Sequence, residues 1–523
     1  MSFTTRLFLA MVATLIPAHA FAQQQSEFEK RFHAIMNRPE YKHARFGVEF
    51  YSLDEGKVIY SWNPDELFVP GSTTKILTVG TALELLGPEF RFQTRIYRTG
   101  PVVNGTLHGD LVLVASGDPN LSNRIQPDGT LAFENEDHSY DGFSEAKAVA
   151  GDPLAVIKEL AAKVASSGIR NVQGRLLVDI SLFPEGDREL GTGVVMSPVV
   201  VNDNLIDVMV TPGARDGDMA ALSISPQTRY VNIHNNVKTG PPGGKMDIDW
   251  KEDTAAPDGT HTVTLSGSIA ADAKPKLRIY RVPVPSKFAE IVLSEALQNA
   301  GVRVQGGAAG QAPSPSTITD ENTVARHVSP PLREEAKVTL KVSQNLHASM
   351  FPSVVGAYRE KGTTDPLQSG FDQERALLEK ADLDLSAAVQ SDGAGGAAMF
   401  TPDFMVHFLL HLTKQTFSAD FKSALPVLGK DGTLAEIQVD SPAAGHVFAK
   451  TGTYASDNAL TRGGVITGKG LAGFVDTKDG RHLVFAAYIN FVPLKEMSEQ
   501  NTKMVGQAVG EIAAAAYDGF PKD

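Results

Sequence analysis

Ser72 and Lys75 lie three positions apart in "FVPGSTTKILTVGTALELLG", Phe68 to Gly87, at the mouth of an apolar stretch. A serine hydroxyl is a weak nucleophile near neutral pH and needs a base beside it. On a helix, i and i+3 share a face, so the two side chains come within reach of each other. Partial burial disfavours an ammonium and lowers its pKa, which lets a lysine accept the serine proton. The helix N-terminus adds backbone N–H donors near a reacting carbonyl oxygen. Taken alone the pair is weak evidence, because S-x-x-K is common and an ordinary helix start explains it.

Two further triplets complete a set. "VSQN" supplies Ser343 and Asn345 at the head of the helix-like "SQNLHASMFPSVVGAY". A hydroxyl and an amide two residues apart can flank a cleft, one relaying a proton and the other binding a substrate amide. "FAKTGTY" supplies Lys450, Thr451 and Gly452 in a strand near the C-terminus. There the cation and hydroxyls would hold a carboxylate, and Gly452 would let a peptide lie against the strand edge. Decoys exist in Ser61-Trp62-Asn63, Ser456-Asp457-Asn458 and Lys238-Thr239-Gly240. The last runs into Pro241-Pro242 and is expected to be a turn. Ser456 follows Lys450 too closely to build a separate cleft wall, and Ser61 precedes the serine–lysine helix. Only one set has the order S-x-x-K, S-x-N, K-T-G on helix, helix start and strand.

The elements that must position these residues form two groups. "RFGVEFYSLDEGKVIYS", Arg45–Ser61, reads as two strands around Asp54-Glu55-Gly56. Ser72–Leu86 has helical apolar spacing, broken before by Pro70-Gly71 and ended by Gly87-Pro88. From about Phe90 to Pro285 strand-like runs dominate, interrupted by a helix at Pro153–Ser167 and closed by one at Lys287–Ala300. Gly306–Thr323 reads as a linker or surface loop. Helices return at Leu340–Tyr358, Phe371–Lys380 and Pro402–Lys414. Strands follow around "GHVFAKTGTY", "GLAGFVDT" and "RHLVFAAYINFV", with a hairpin turn at Lys478-Asp479-Gly480 and a last helix near Lys495–Tyr517. The expectation is one α+β domain split in sequence by a mostly β insertion of one or two domains.

The ordered set resembles the penicillin-recognising serine peptidases and β-lactamases. "SGDPNLS" at Ser116, "VNDNLIDV" at Val201, "SDGAGG" at Ser391 and "LPVLGKDGTLA" at Leu425 narrow the likeness. They are similar to the D-alanyl-D-alanine carboxypeptidase/endopeptidase family, the class C low-molecular-mass penicillin-binding proteins, as is the long insertion between the first two motifs. The resemblance implies a transpeptidase-like domain, an antiparallel sheet flanked by helices. It also implies cleavage of D-Ala-D-Ala termini or D-Ala–diaminopimelate cross-links of peptidoglycan through an acyl-serine, with β-lactams as covalent inhibitors. No cofactor and no metal are implied. Ser72 would be the nucleophile, Lys75 its base, and Ser343 a proton shuttle to the leaving amine. Asn345 would bind the substrate amide, Lys450, Thr451 and Thr453 would engage the carboxylate, and Gly452 would complete the substrate-binding strand. The oxyanion hole would be the N–H groups of Ser72 and Thr453. Two departures stand out. Ala394 replaces the serine of the family's Asp-Gly-Ser-Gly, and "ASDNALTRGGVITGKG" lengthens the chain after Tyr454. Alternatives within this frame are a β-lactamase or esterase of the same fold, or a non-catalytic peptidoglycan-binding scaffold.

Composition sets the compartment. The chain has 523 residues, enough for two or three domains, and is 42% hydrophobic and 21% charged. A net charge of -13 argues against nucleic-acid binding. Residues 1–22 read as a secretory signal peptide: Arg6, an apolar run Leu7–Ile16, then Ala20-Phe21-Ala22 as the favoured cleavage site. No later run is long enough to span a membrane, leaving at most a loose membrane association. There is no cysteine, hence no disulfide, thiol nucleophile or lipid-modified cysteine. A periplasmic protein is expected, with residues 23–89 and 324–523 forming the peptidase part and 90–323 the insertion. His407 and His411 in "HFLLH" lack the glutamate a zinc protease needs after the first histidine, and a packed or surface helix is expected there. Asp382, Asp384 and Asp392 do not fit a calcium loop. Ala513–Ala516 is read as close helix packing.

Overall fold

The strand His482–Asn490, "HLVFAAYIN", is apolar on both faces and buried along almost its whole length. Such a run fits only the middle of a sheet covered on two sides. In the computed structural model, which describes residues 26–306 and 319–520, it pairs antiparallel with Arg45–Ser52 on one flank and with Gly463–Asp476 on the other. The sheet runs Val447–Asn458, Gly463–Asp476, His482–Asn490, Arg45–Ser52, Lys57–Trp62, with Val492–Leu494 pairing on Gly463–Asp476. Strands from both ends of the chain therefore share one sheet. The expected signal peptide lies outside the described residues, as does most of the expected linker.

Each face of this sheet carries its own core. On one side Glu27–Met36 and the last helix, Glu499–Asp518, bury Phe28, Phe32, Val505, Val509 and Ile512 against Phe50, Phe485 and Ala487. Ala513 to Ala516 are all buried there, as the close-packing expectation required. On the other side Thr74–Leu86 and Pro402–Thr413 pack against Phe68, Phe474 and Tyr488. Every residue from Thr74 to Leu83 is buried, so this helix is enclosed all round. It stops at Gly87, whose φ of 92° favours glycine.

The inserted region builds four small sheets and contains the helices Ala155–Ser166 and Pro285–Asn299. The strand Thr323–Val328 closes one of them by pairing with Gln93–Arg98. The α+β expectation holds, with two local corrections. Leu340–Tyr358 is not one helix: Leu332–Lys341 ends, Val342 to Gln344 turn, and Asn345–Arg359 begins. Lys238-Thr239-Gly240 is not a turn either. It ends the strand Val231–Gly240, which pairs with His261–Ala270 along one side and bridges through Lys238 to Met219 on the other, and the break comes at Pro241. Among the described residues no helix is long and apolar enough to cross a membrane.

Candidate active site

Ser72 sits in the single 3-10 turn Gly71–Thr73 that leads into Thr74–Leu86, and Lys75 is inside the first turn of that helix. The turn is fixed by Thr73 Oγ1 donating to the Pro70 carbonyl at 3.0 Å and Thr74 Oγ1 donating to the Gly71 carbonyl at 2.9 Å. Gly71 has φ of 52° and lies so close to the K-T-G strand that a Cβ would stand 2.6 Å from Thr453 N. The S-x-x-K turn and the K-T-G strand thus touch through backbone.

Lys75 is the hub. Its Nζ lies 2.7 Å from Ser72 Oγ, 2.6 Å from Asn345 Oδ1, 3.3 Å from Ser343 Oγ and 3.4 Å from the Ala394 carbonyl. The side chain is fully buried, and burial brings its pKa down to about 7 against a smaller upward pull from Glu189 and Asp392. Near neutrality a large share is then the free amine, the form that can take a proton from Ser72.

Ser343 occupies the turn between the two helices with φ of 62°, a left-handed conformation unusual for a non-glycine residue. The inserted region holds it there. Tyr140 Oη donates to the Ser343 carbonyl at 2.5 Å, and the neighbouring Gln344 amide donates to Asp137 Oδ1 at 3.1 Å. One turn on, His347 bridges Asp203 Oδ1 (2.7 Å) and Glu335 Oε1 (2.8 Å). Asp203 in turn accepts from Arg124 and His138. This buried network ties residues 124–207 to the second motif. Glu189, also from the inserted region, is buried beside the cleft; its carboxylate accepts from Gly191 N at 2.7 Å and from Thr192 N and Oγ1. Its neighbour Gly191 packs so tightly on Asn345 that a Cβ would stand 1.9 Å from Nδ2.

The third motif lies on the edge strand Val447–Asn458. Lys450 is fully buried and held well below the ordinary lysine range, first by desolvation and then by the charges of Lys75 and Lys469. Its Nζ donates to the Thr451 carbonyl at 2.9 Å, while Thr451 Oγ1 donates to Thr433 Oγ1 at 2.7 Å. Packing also requires a glycine at 452. A Cβ there would fall 1.9 Å from the Pro70 carbonyl oxygen, inside the S-x-x-K turn. The segment after Tyr454 extends the hairpin outward: pairing continues from Val447↔Val475 to Asn458↔Gly463, with a bulge at Tyr454/Ala455. Ala394 contributes its backbone carbonyl to Lys75, and Asp392 Oδ1 accepts from Ala394 N and Gly395 N. The loop therefore reaches Lys75 without a side-chain hydroxyl.

All eight residues expected from the sequence thus lie on three elements that meet at one cleft. Tyr140, Glu189 and Lys469 were not expected; nothing in their local sequence marks them. His407 and His411 do not converge: His411 Nε2 pairs with Glu84 at 2.7 Å, and His407 groups with Asp403 and the buried Glu49.

The fold and this arrangement are those of a penicillin-recognising serine hydrolase. A sequence profile of the D-Ala-D-Ala carboxypeptidase 3 (S13) family matches residues 28–511, and the chain belongs to that family. It is 28% identical over 467 residues to a D-alanyl-D-alanine carboxypeptidase of Actinomadura sp. (strain R39), covering 85% of this chain and 79% of the relative. It is 22% identical over 456 residues to D-alanyl-D-alanine carboxypeptidase DacB of Haemophilus influenzae, covering 84% of each. The crystal structure of penicillin binding protein 4 (dacB) from that organism superposes with a TM-score of 0.69 at 20% identity, over 93% of this chain and 98% of that one. A second crystal structure of the same protein holds a novel β-lactam and gives a TM-score of 0.67 at 19% identity.

Proposed function

We propose that this chain is a serine DD-peptidase that cleaves D-Ala-D-Ala termini, D-Ala–diaminopimelate cross-links of peptidoglycan, or both, through an acyl-Ser72 intermediate. The observation that carries this reading is the 2.7 Å approach of Lys75 Nζ to Ser72 Oγ in a site dry enough to hold the lysine near pH 7.

The chemistry follows from the geometry. Neutral Lys75 takes the Ser72 proton as Oγ attacks the D-Ala carbonyl carbon, and the carbonyl electrons move to oxygen. The N–H groups of Ser72 and Thr453 are the donors for that oxyanion. When the C–N bond breaks, the leaving amine takes a proton through Ser343, which lies 3.3 Å from Lys75 Nζ. Asn345 holds the substrate amide. Lys450, Thr451 and Thr453 face the carboxylate of the leaving residue, and the burial of Lys450 with no carboxylate partner among the described residues favours such an anion. Water then attacks the acyl-enzyme by the reverse use of the same groups. A β-lactam follows the first half only, because its amine stays tethered and blocks water.

The chain divides into a peptidase part and an insertion close to the expected 23–89 with 324–523 and 90–323, with the return point moved to just after Val328, because Thr323–Val328 pairs with Gln93–Arg98 of the insertion. Residues 1–22 fit export to a periplasm, where peptidoglycan stem peptides are met. An inserted region that grips Ser343 is part of the site, and an additional role in orienting the enzyme on the wall is compatible with that. The test is release of free D-Ala from a muropeptide ending in D-Ala-D-Ala, followed by mass spectrometry. Release by the mature protein, or its cleavage of a D-Ala–diaminopimelate cross-linked dimer assayed beside it, with neither by Ser72→Ala, supports the reading; both substrates left intact by the mature protein contradict it.

A further inference from the structure

We infer that Lys469 is a second cation of the carboxylate pocket, binding the carboxylate beside the scissile amide nitrogen together with the Thr453 hydroxyl; this rests on the DD-peptidase reading above. Lys469 stands directly opposite Thr453 across the hairpin, and its Nζ lies 2.6 Å from Thr453 Oγ1. An ammonium has three donors and no acceptor, so Thr453 Oγ1 must accept from it. The Thr453 hydroxyl proton is then free to point only elsewhere. Thr453 is exposed on its strand, so its hydroxyl donates to solvent in the free enzyme and a bound substrate can take the place of that water. A substrate carboxylate lying along the Lys450–Thr453 edge is then the acceptor. Lys469 sets the direction of the hydroxyl and places positive charge behind it.

The surroundings of Lys469 favour a ligand role over a packing role. Among the described residues no carboxylate lies within ion-pair distance of it, although it is only 8% exposed. Gly506 of the last helix lies beside it, where a Cβ would stand 3.5 Å from both Cε and Nζ; that residue has no side chain to accept a hydrogen bond. A lysine kept for structure alone normally has an acidic partner or reaches water. Here burial is uncompensated and lowers its pKa to about 8, which still leaves it mostly charged at neutral pH. With Lys75 and Lys450 it makes a group of three buried lysines, and an incoming carboxylate supplies the missing negative charge. Both substrate bonds named above have a carboxylate on the carbon next to the leaving nitrogen, so one pocket serves both.

The test uses the full mature chain, diacetyl-L-lysyl-D-alanyl-D-alanine as substrate, and the same peptide ending in D-alaninamide. Lys469→Met is expected to lower kcat/KM for the free acid by roughly tenfold to a hundredfold, mainly through KM, and to leave the amide within about twofold. Lys469→Arg should restore most of the loss. Thr453→Val, which keeps Lys469, should show the same selectivity for the acid and serves where Lys469→Met does not fold. Equal losses on acid and amide, or no loss on either, overturn the inference while leaving the peptidase reading intact. Wild-type protein that cleaves neither peptide and takes no penicillin contradicts that reading, and this inference with it.

Discussion

Tyr140 and Ser343 are 203 positions apart in the chain, yet the tyrosine hydroxyl donates to the serine carbonyl at 2.5 Å, across the boundary between the inserted region and the peptidase part. Ser343 keeps its φ of 62° in a turn whose other restraint from the inserted region is Gln344 on Asp137 and Ser139. Removing the donor leaves a buried carbonyl unpaired and frees the turn. Tyr140→Phe is expected to slow acylation by benzylpenicillin by about tenfold, through the rate rather than the affinity. Stopped-flow or quenched-flow acylation kinetics check it, and an unchanged rate removes Tyr140 from the positioning of the second motif.

Acylation should follow the neutral form of Lys75. With its pKa brought to about 7, the rate should fall as pH drops through 7, by about tenfold per unit once most of the lysine is protonated. It should level off above. A rate profile between pH 5 and 8.5 reads this directly; a rate that stays flat to pH 5 means another group is the base.

Gly452 should tolerate no side chain. A Cβ there meets the Pro70 carbonyl oxygen at 1.9 Å and Thr73 N at 3.0 Å, both backbone atoms of the turn that carries Ser72. Gly452→Ala is expected to cost about 2 kcal/mol of stability and to lower penicillin acylation at least about tenfold. Denaturant unfolding and acylation kinetics on the same preparation test both parts.

The buried network around the second motif predicts an alkaline weakness. His347 is held near pKa 9, burial pulling it down but Glu335 and Asp203 raising it more, and His138 is likewise raised well above its ordinary value. Folded values above the unfolded value near 6.5 mean that the stabilisation is complete below about pH 6.5 and is lost as pH rises through about 9. The melting temperature should therefore fall between pH 7 and 9.5. In His347→Asn that slope should be shallower, which differential scanning calorimetry can show.

Much of the site was legible because three motifs carry their own chemistry and occur in a fixed order. The central strand was legible as well, since an unbroken apolar run flanked by turns has few homes. The turn at Val342–Gln344 was not, because Ser343 adopts a left-handed conformation without being glycine, and "KVTLKVSQNLHASM" keeps a helical look across the break. Tyr140 and Glu189 were invisible for another reason: their roles exist only after a region more than a hundred residues away folds onto the cleft. Lys469 hid in "TGKGLAG", where glycines and a lysine suggest a solvated turn, whereas the fold sets it in the strand Gly463–Asp476 opposite Thr453 and beside Gly506 of the last helix. The packing constraint on Gly452 was hidden for the same cause. Sequence shows that glycine is there, and only the fold shows which backbone approaches it.

The most direct test of the account is the intact mass of the mature protein after benzylpenicillin, beside Ser72→Ala shown to be folded by circular dichroism. One stable adduct with the mass of the whole drug is expected on the first protein and none on the second. An adduct of equal yield on Ser72→Ala, or none on the folded mature protein, would contradict acylation at Ser72.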